Sequence, residues 1–325
     1  MPTRLWRCRL HALALLALAF VVLAVVDVEL CIPSLRSIGS SSLRSRSVQA
    51  AEVLTATASA SASATEVSGT ACRESPPPTD LALAFKRRDD LASILENEGL
   101  TIGAELGVQE GIFANTNLAL WKRAKRYTLV DVWLHIDNYD DVANVDNTVQ
   151  EKYYATTKKA MRPFLDRTSV DICRNYTTSC APCYADASFD FIYVDARHDY
   201  RGVAVDLAQW YTKLRPGGIF AGHDYVTNPA WSGQNWTINF DGTVDHSGRA
   251  VQGAVDEFAQ RHGVEVYASS DGAWRSWALR KPMCPRTLDP PVDTDVPPGG
   301  IYAPGPHAPD ARCDTSIELL GGFRA

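Results

Sequence analysis

Between residues 79 and 279 the chain alternates stretches of helical and strand periodicity, the pattern of βαβ units built into a mostly parallel sheet. Leu91, Ile94 and Leu95 mark one face of a helix over 79–97. Strands are predicted at 101–107, 126–132, 169–173 and 191–195, with helices at 111–124 and 148–165 between them. Val203, Leu207, Trp210, Tyr211 and Leu214 repeat at helical spacing, and Arg215-Pro216-Gly217-Gly218 ends that helix. A fifth strand at 219–222, a polar loop to Gly248, a helix over 250–262 and closing strands at 264–268 and 273–279 bring the count to seven. One domain of this size can bury a full core.

The flanks break the pattern. Arg4, Arg7 and Arg9 precede an apolar run from Ala12 to Val26, so 1–31 has the form of a secretory signal or an uncleaved signal anchor. No small-x-small cleavage site directly follows the run, which favours a type II anchor with the arginines on the cytoplasmic side. A cleaved signal, or an organelle transit peptide suggested by the Ser and Arg content of 34–47, are the alternatives. Residues 32–78 are rich in Ser, Ala and Pro and hold too little bulky apolar content for a core; they suit a disordered stalk. Residues 282–325 form a tail with nine prolines between 282 and 312. The expected domain is therefore 79–281.

A net charge of −6 argues against a nucleic-acid partner, which calls for a basic face. Six cysteines follow the apolar run and its flanks, an even number that suits disulfides in an oxidising lumen. Cys180-Ala-Pro-Cys183 lacks the second CxxC of a zinc site. The sequons at Asn175 and Asn235 fall in predicted loops, as glycan acceptors do. Together these place the domain in the secretory pathway, lumenal or secreted.

Candidate chemistry gathers at strand ends. In open α/β sheets ligands bind outside the carboxyl ends of the strands, and there the chain sets Asp195-Ala-Arg-His198 and His223-Asp224. Glu105-Leu-Gly107-Val-Gln-Glu-Gly111 joins the first strand to its helix. Its glycines permit a tight turn and close backbone approach, while its leading acid would repel phosphate and pair with an amino group. Asp131 ends the second strand, where an acid commonly takes ribose hydroxyls. Asp199 and Asp206 have the places of helix-capping or decorating acids. Trp231 and Trp236 in the polar loop suit either an acceptor pocket or plain loop packing.

Four segments together resemble the class I S-adenosylmethionine-dependent methyltransferases: Glu105 to Gly111, Leu129-Val-Asp131-Val-Trp133, Tyr193-Val-Asp195-Ala-Arg-His198 and Arg215-Pro-Gly-Gly218. The resemblance, which extends from Gly103 to Leu279, implies a Rossmann-like, seven-stranded doubly wound sheet with its last strand antiparallel and helices on both faces. It implies S-adenosylmethionine as cofactor, its methionine end held by Glu105 and the backbone from Gly107 to Gly111, its ribose by Asp131, with Trp133 and Asp195 completing the set. The later segments are similar to the methyltransferase-24 and metal-dependent small-molecule O-methyltransferases. That implies catalysis by His198 and Asp195 and a divalent metal held by Asp195, His223 and Asp224. His223 stands where those enzymes have an oxygen ligand, which weakens the case for magnesium and suits manganese, iron or zinc, or no metal at all.

The expected activity is O-methylation of a small hydroxylated molecule or glycan. Two other outcomes stay open. Two histidines and a carboxylate are also the ligand set of iron hydroxylases, and the fold serves binding modules without turnover.

Overall fold

In the computed structural model, which describes residues 79–284 and 318–320, the helix expected over 79–97 is two helices. α1 (Leu81–Ala84) starts at Asp80, whose carboxylate accepts from Ala82 N. α2 (Asp90–Asn97) buries Leu91, Ala92, Ile94 and Leu95. The break has a local cause: Asp90 Oδ2 accepts from Lys86 N and Arg87 N at 2.9 and 2.7 Å, turning the chain where a continuous helix would run.

The remaining elements follow the expected alternation. They are β1 (Ile102–Leu106), α3 (Ile112–Leu120), β2 (Arg126–Asp131), α4 (Asn147–Met161), β3 (Ser169–Arg174), α5 (Thr177–Cys180) and β4 (Phe189–Val194). After them come α6 (Tyr200–Lys213), β5 (Leu214–Gly222), α7 (Ala250–His262), β6 (Tyr267–Ala268), β7 (Trp277–Arg280) and β8 (Glu318–Leu320). Asp199 caps α6, accepting from Gly202 N at 3.0 Å, as its position suggested. The terminator after α6 acts earlier than expected. α6 ends at Lys213, and Arg215 to Gly218 enter β5 as an irregular stretch opposite the register shift at Phe189/Phe191 of β4.

The sheet has eight strands among the described residues, in the order β6-β7-β5-β4-β1-β2-β3-β8. The core strands are parallel; β7 runs antiparallel to β5, and β8 antiparallel to β3. Seven strands were expected. The eighth is a three-residue pairing of Glu318 to Leu320 with β3, in the segment assigned to the tail and too short to show a strand pattern.

Alternate side chains leave the two faces. Ile192 and Val194 of β4 pack with Val203, Leu207, Trp210, Val255 and Phe258 of α6 and α7. Phe191 and Tyr193 pack with Leu91, Leu95, Phe113 and Leu118 of α2 and α3. Helices thus cover both faces of a doubly wound sheet. No helix among the described residues is long and apolar enough to cross a membrane. The expected anchor at 1–31 and stalk at 32–78 lie outside the described residues.

Candidate functional site

The order of the strands reverses between β1 and β4, where such sheets open a crevice. Register aligns the tips around it: Leu106 pairs with Val130 on one side and Val194 on the other, and Val194 pairs with Gly222. The next residue of each of these chains therefore stands on one rim: Gly107, Asp131, Asp195 and His223. Gly107 has φ +82° and lies so close to β4 that a Cβ would sit 1.9 Å from the Asp195 carbonyl oxygen. Only glycine permits both.

Asp131 reaches back over β1. Its Oδ2 accepts from Val108 N and Gln109 N at 2.8 and 2.9 Å, and its Oδ1 from Trp133 N at 2.8 Å. The Trp133 indole donates to Gln109 O at 2.8 Å and packs on Tyr154, fully buried. It buttresses the glycine turn from behind and is not among the residues lining the crevice. Gly111, at φ +74° on the end of α3, shapes the same turn against Thr157 and is likewise set back.

Glu105 lies on the floor of the crevice, 2% exposed, accepting from the Tyr127 hydroxyl at 3.1 Å. Burial pushes its carboxyl well above the usual range, against the Tyr127 hydrogen bond, which acts the other way. Arg88, at the foot of α2, holds its guanidinium over the Phe113 ring at 5.5 Å on the same cavity wall.

Across the crevice, His198 is ringed by acids. Its Nε2 lies 3.4 Å from Asp195 Oδ1 and 3.3 Å from Asp224 Oδ2; its Nδ1 lies 3.0 Å from Asp141 Oδ2. Burial alone would lower its pKa, but the hydrogen bonds to Asp141 and Asp195 and the charge of Asp224 outweigh it, so His198 stays protonated well above the ordinary histidine range. Its ring lies 4.5 Å from that of Trp236. Asp195, His198 and Asp224 each bring one ligand atom within 4.8 Å of the others. His223, expected in this set, is absent from it; its Nδ1 bonds Asp224 Oδ1 at 2.9 Å. Two carboxylates and one imidazole in this arrangement suit manganese, iron or zinc better than magnesium.

Glu105, Gly107, Asp131, Asp195, His198, His223 and Asp224, but not Trp133 or Gly111, line one cavity of about 580 Å³, within the usual range for small-molecule sites. Its wall includes residues that the sequence did not single out: Arg88, Tyr139, Asp141 and Trp274. Asp141 is one of several acids in a polar loop, and no spacing distinguishes it. Trp236 lines the cavity, whereas Trp231 is 65% exposed and packs at a tilt against Trp274, ring centroids 4.8 Å apart.

Asn175 also belongs to the wall. It is 5% exposed, and its Nδ2 is buried with no hydrogen-bond partner. This corrects the expectation that both sequons are open to a glycan: Asn175 is inside, with Thr177 buried against Asp206, and only Asn235 is exposed. The disulfide Cys173–Cys180 closes the loop that carries Asn175.

Residues 104–225 match the family model described as a methyltransferase domain. No curated protein matches the chain. Among solved structures, a protein from Corynebacterium glutamicum is 14% identical over 64% of this chain and 83% of its own, with a TM-score of 0.43. An O-methyltransferase from Bacillus cereus, in complex with S-adenosylhomocysteine, is 16% identical over 60% of this chain and 80% of its own, with a TM-score of 0.39. An N-methyltransferase from Bradyrhizobium japonicum, with the same ligand, is 13% identical over 60% and 86%, with a TM-score of 0.39.

Proposed function

Proceeding from a methyltransferase domain over residues 104–225, we propose that the chain is an S-adenosylmethionine-dependent O-methyltransferase acting on a small hydroxylated molecule or sugar. One observation carries this: a single cavity joins the glycine turn with its buried acid, Glu105, to the cluster of Asp195, His198 and Asp224. The first part suits a ligand with a cationic amino-acid end; the second suits a hydroxyl that must lose a proton.

The cofactor's ammonium would pair with Glu105, its charge offsetting the burial that otherwise favours the neutral carboxyl, and the backbone at Gly107 would meet its methionine chain. Asp131 has three of its carboxylate's acceptor sites in use, leaving room for one ribose hydroxyl. Asn175 offers an unsatisfied amide to the purine edge. Methyl transfer forms the acceptor O–C bond as the C–S bond breaks, the electron pair passing to sulfur. Holding oxygen, carbon and sulfur in line supplies much of the rate. The hydroxyl proton goes to Nε2 of His198, which takes it only in the neutral form, so transfer should rise with pH.

A divalent metal fits the donor set of Asp195, His198 and Asp224. When bound there it would take up Nε2 of His198 and acidify the acceptor hydroxyl in place of the imidazole base. The iron-hydroxylase alternative asks for two imidazoles and a carboxylate, and the cluster has one imidazole; the methyltransferase is favoured.

Calorimetric titration of the full chain with S-adenosylmethionine, followed by transfer of a radiolabelled methyl to pools of phenols and sugars, tests the proposal. His198→Ala is expected to keep cofactor binding and lose transfer, and EDTA to reduce transfer if a metal takes part. Failure of the cofactor to bind would sink the proposal.

A further inference from the structure

The loop between β2 and α4 carries a residue that touches neither sheet tip nor glycine turn, yet decides the state of the central imidazole. Asp141 is held over His198 by contacts to a second loop, the one between β5 and α7. Asp140 bridges to Asn235, Val142 N donates to Gln234 Oε1 at 3.0 Å, and Asn138 Nδ2 donates to Asn239 O at 3.1 Å. Within that frame the Asp141 side chain is 3% exposed.

Every neighbour of its carboxylate is a donor. Ala143 N gives to Oδ1 at 2.8 Å, and the Trp236 indole gives to Oδ2 at 3.0 Å. An indole N–H can only donate and an ionised carboxylate can only accept. The third neighbour, His198 Nδ1 at 3.0 Å from Oδ2, must therefore carry a hydrogen. Tyr139 agrees: its hydroxyl lies 3.0 Å from Nδ1 and can accept from it while donating toward Ala196 O. Asp195 and Asp224 face Nε2 at 3.4 and 3.3 Å, so the imidazolium donates on both sides; when the ring becomes neutral, the shorter 3.0 Å contact to Asp141 keeps the hydrogen on Nδ1 and the unshared pair belongs to Nε2.

We infer that Asp141, anchored by Trp236, is the positioning residue that fixes the tautomer of His198 so that Nε2 is the nitrogen presented to the acceptor or to a metal. This rests on the function proposed above for the acid cluster, but the tautomer itself does not. A carboxylate on the outer nitrogen of a working histidine orients the ring and raises its basicity; its loss typically costs 10- to 100-fold in activity or metal affinity. The two loops that meet here are thereby coupled to the chemistry.

Nitrogen-15 NMR of the full chain, labelled in histidine, tests this at a pH above the loss of the imidazolium proton. The His198 signal is assigned by its disappearance in His198→Gln. The neutral ring is expected to be a single tautomer with hydrogen on Nδ1. In Asp141→Asn the charge is gone and an amide NH2 competes with the existing donors, so a share with hydrogen on Nε2 should appear. Methyl transfer by that variant should fall roughly 10- to 100-fold, with cofactor affinity unchanged. A wild-type ring with hydrogen on Nε2, or an Asp141→Asn spectrum identical to wild type, overturns the inference. The wild-type spectrum decides even if the variant does not fold. Hydrogen on Nδ1 in a chain that transfers no methyl group would leave the positioning intact and count against the proposed function alone.

Discussion

The carboxylate of Asp131 at the tip of β2 accepts from the backbone N–H of Val108, 2.8 Å away in the glycine turn that leaves β1. That acid holds the turn that leaves β1, and in the proposed function its remaining acceptor site would take a ribose hydroxyl.

As a ligand for ribose alone, Asp131 could be replaced by alanine at no cost to the fold. The structure changes that expectation, because three backbone donors lose their partner. Hydrogen bonds to charged groups contribute about 1.5–3 kcal/mol each, so a loss of at least that order is expected in urea unfolding. An unchanged urea midpoint would show that the turn stands without Asp131.

Gly107→Ala should be among the most damaging single changes in the domain. The positive φ alone costs a residue with a side chain about 1–3 kcal/mol. The new methyl would also meet the Asp195 carbonyl at 1.9 Å, forcing β1 and β4 apart at the crevice. Reduced stability together with lost cofactor binding is the expected pair of results. A stable variant that binds normally would mean that the two tips are not packed as described.

Asp206 of α6 is buried, 2% exposed, with a hydrogen bond from Thr177. Burial raises its pKa from 3.8 to about 7; the Thr177 bond opposes this and the charge of Asp199 adds to it. The folded chain therefore keeps a proton that the unfolded chain releases above 3.8. The stability this group contributes is full below that value and is lost as pH rises through about 7. A displacement of that size corresponds to about 4 kcal/mol. Asp206→Asn, neutral throughout, should flatten the slope and be the more stable protein on the alkaline side. Parallel slopes for wild type and variant, from unfolding free energies on either side of that range, would exclude the assignment.

Cys173–Cys180 closes a short loop containing Asn175, Tyr176 and Thr177, all of which line the cavity. Loop-closure entropy for a ring of this size is worth about 2 kcal/mol. Replacing both cysteines with serine should lower stability by that order and weaken ligand affinity through a looser Asn175 wall. If affinity is unchanged while stability falls, the staple serves the fold alone.

Much of the fold and the rim of the site were legible because their signals are local. The 3.6- and 2-residue periods that mark α6 and β4 come from side chains close together in the chain, and so does the acid-led glycine turn. The split of the first helix was missed because Asp90 captures Lys86 N and Arg87 N, a choice that periodicity does not record. β8 was missed because three residues carry no period, and their pairing partner lies far back in β3. Asn175 looked like an open loop residue, since its burial depends on how the disulfide loop folds against the cavity.

By itself the sequence determined the alternation of strands and helices, and hence which residues stand at strand ends: Gly107, Asp131, Asp195 and His223 lie on the rim of any sheet built from this pattern, with Glu105 just inside it. Only the tertiary structure decided which histidine joins the acids. His198 turns Nε2 toward Asp195 and Asp224, whereas the His223 ring bonds the other oxygen of Asp224 and falls outside the three-residue cluster. It also decided that Asp141, far away in the chain, closes on the other ring nitrogen. Periodicity is set by neighbours along the backbone, but the meeting of two loops is set by the path each takes over the sheet, and that path exists only once the core has packed.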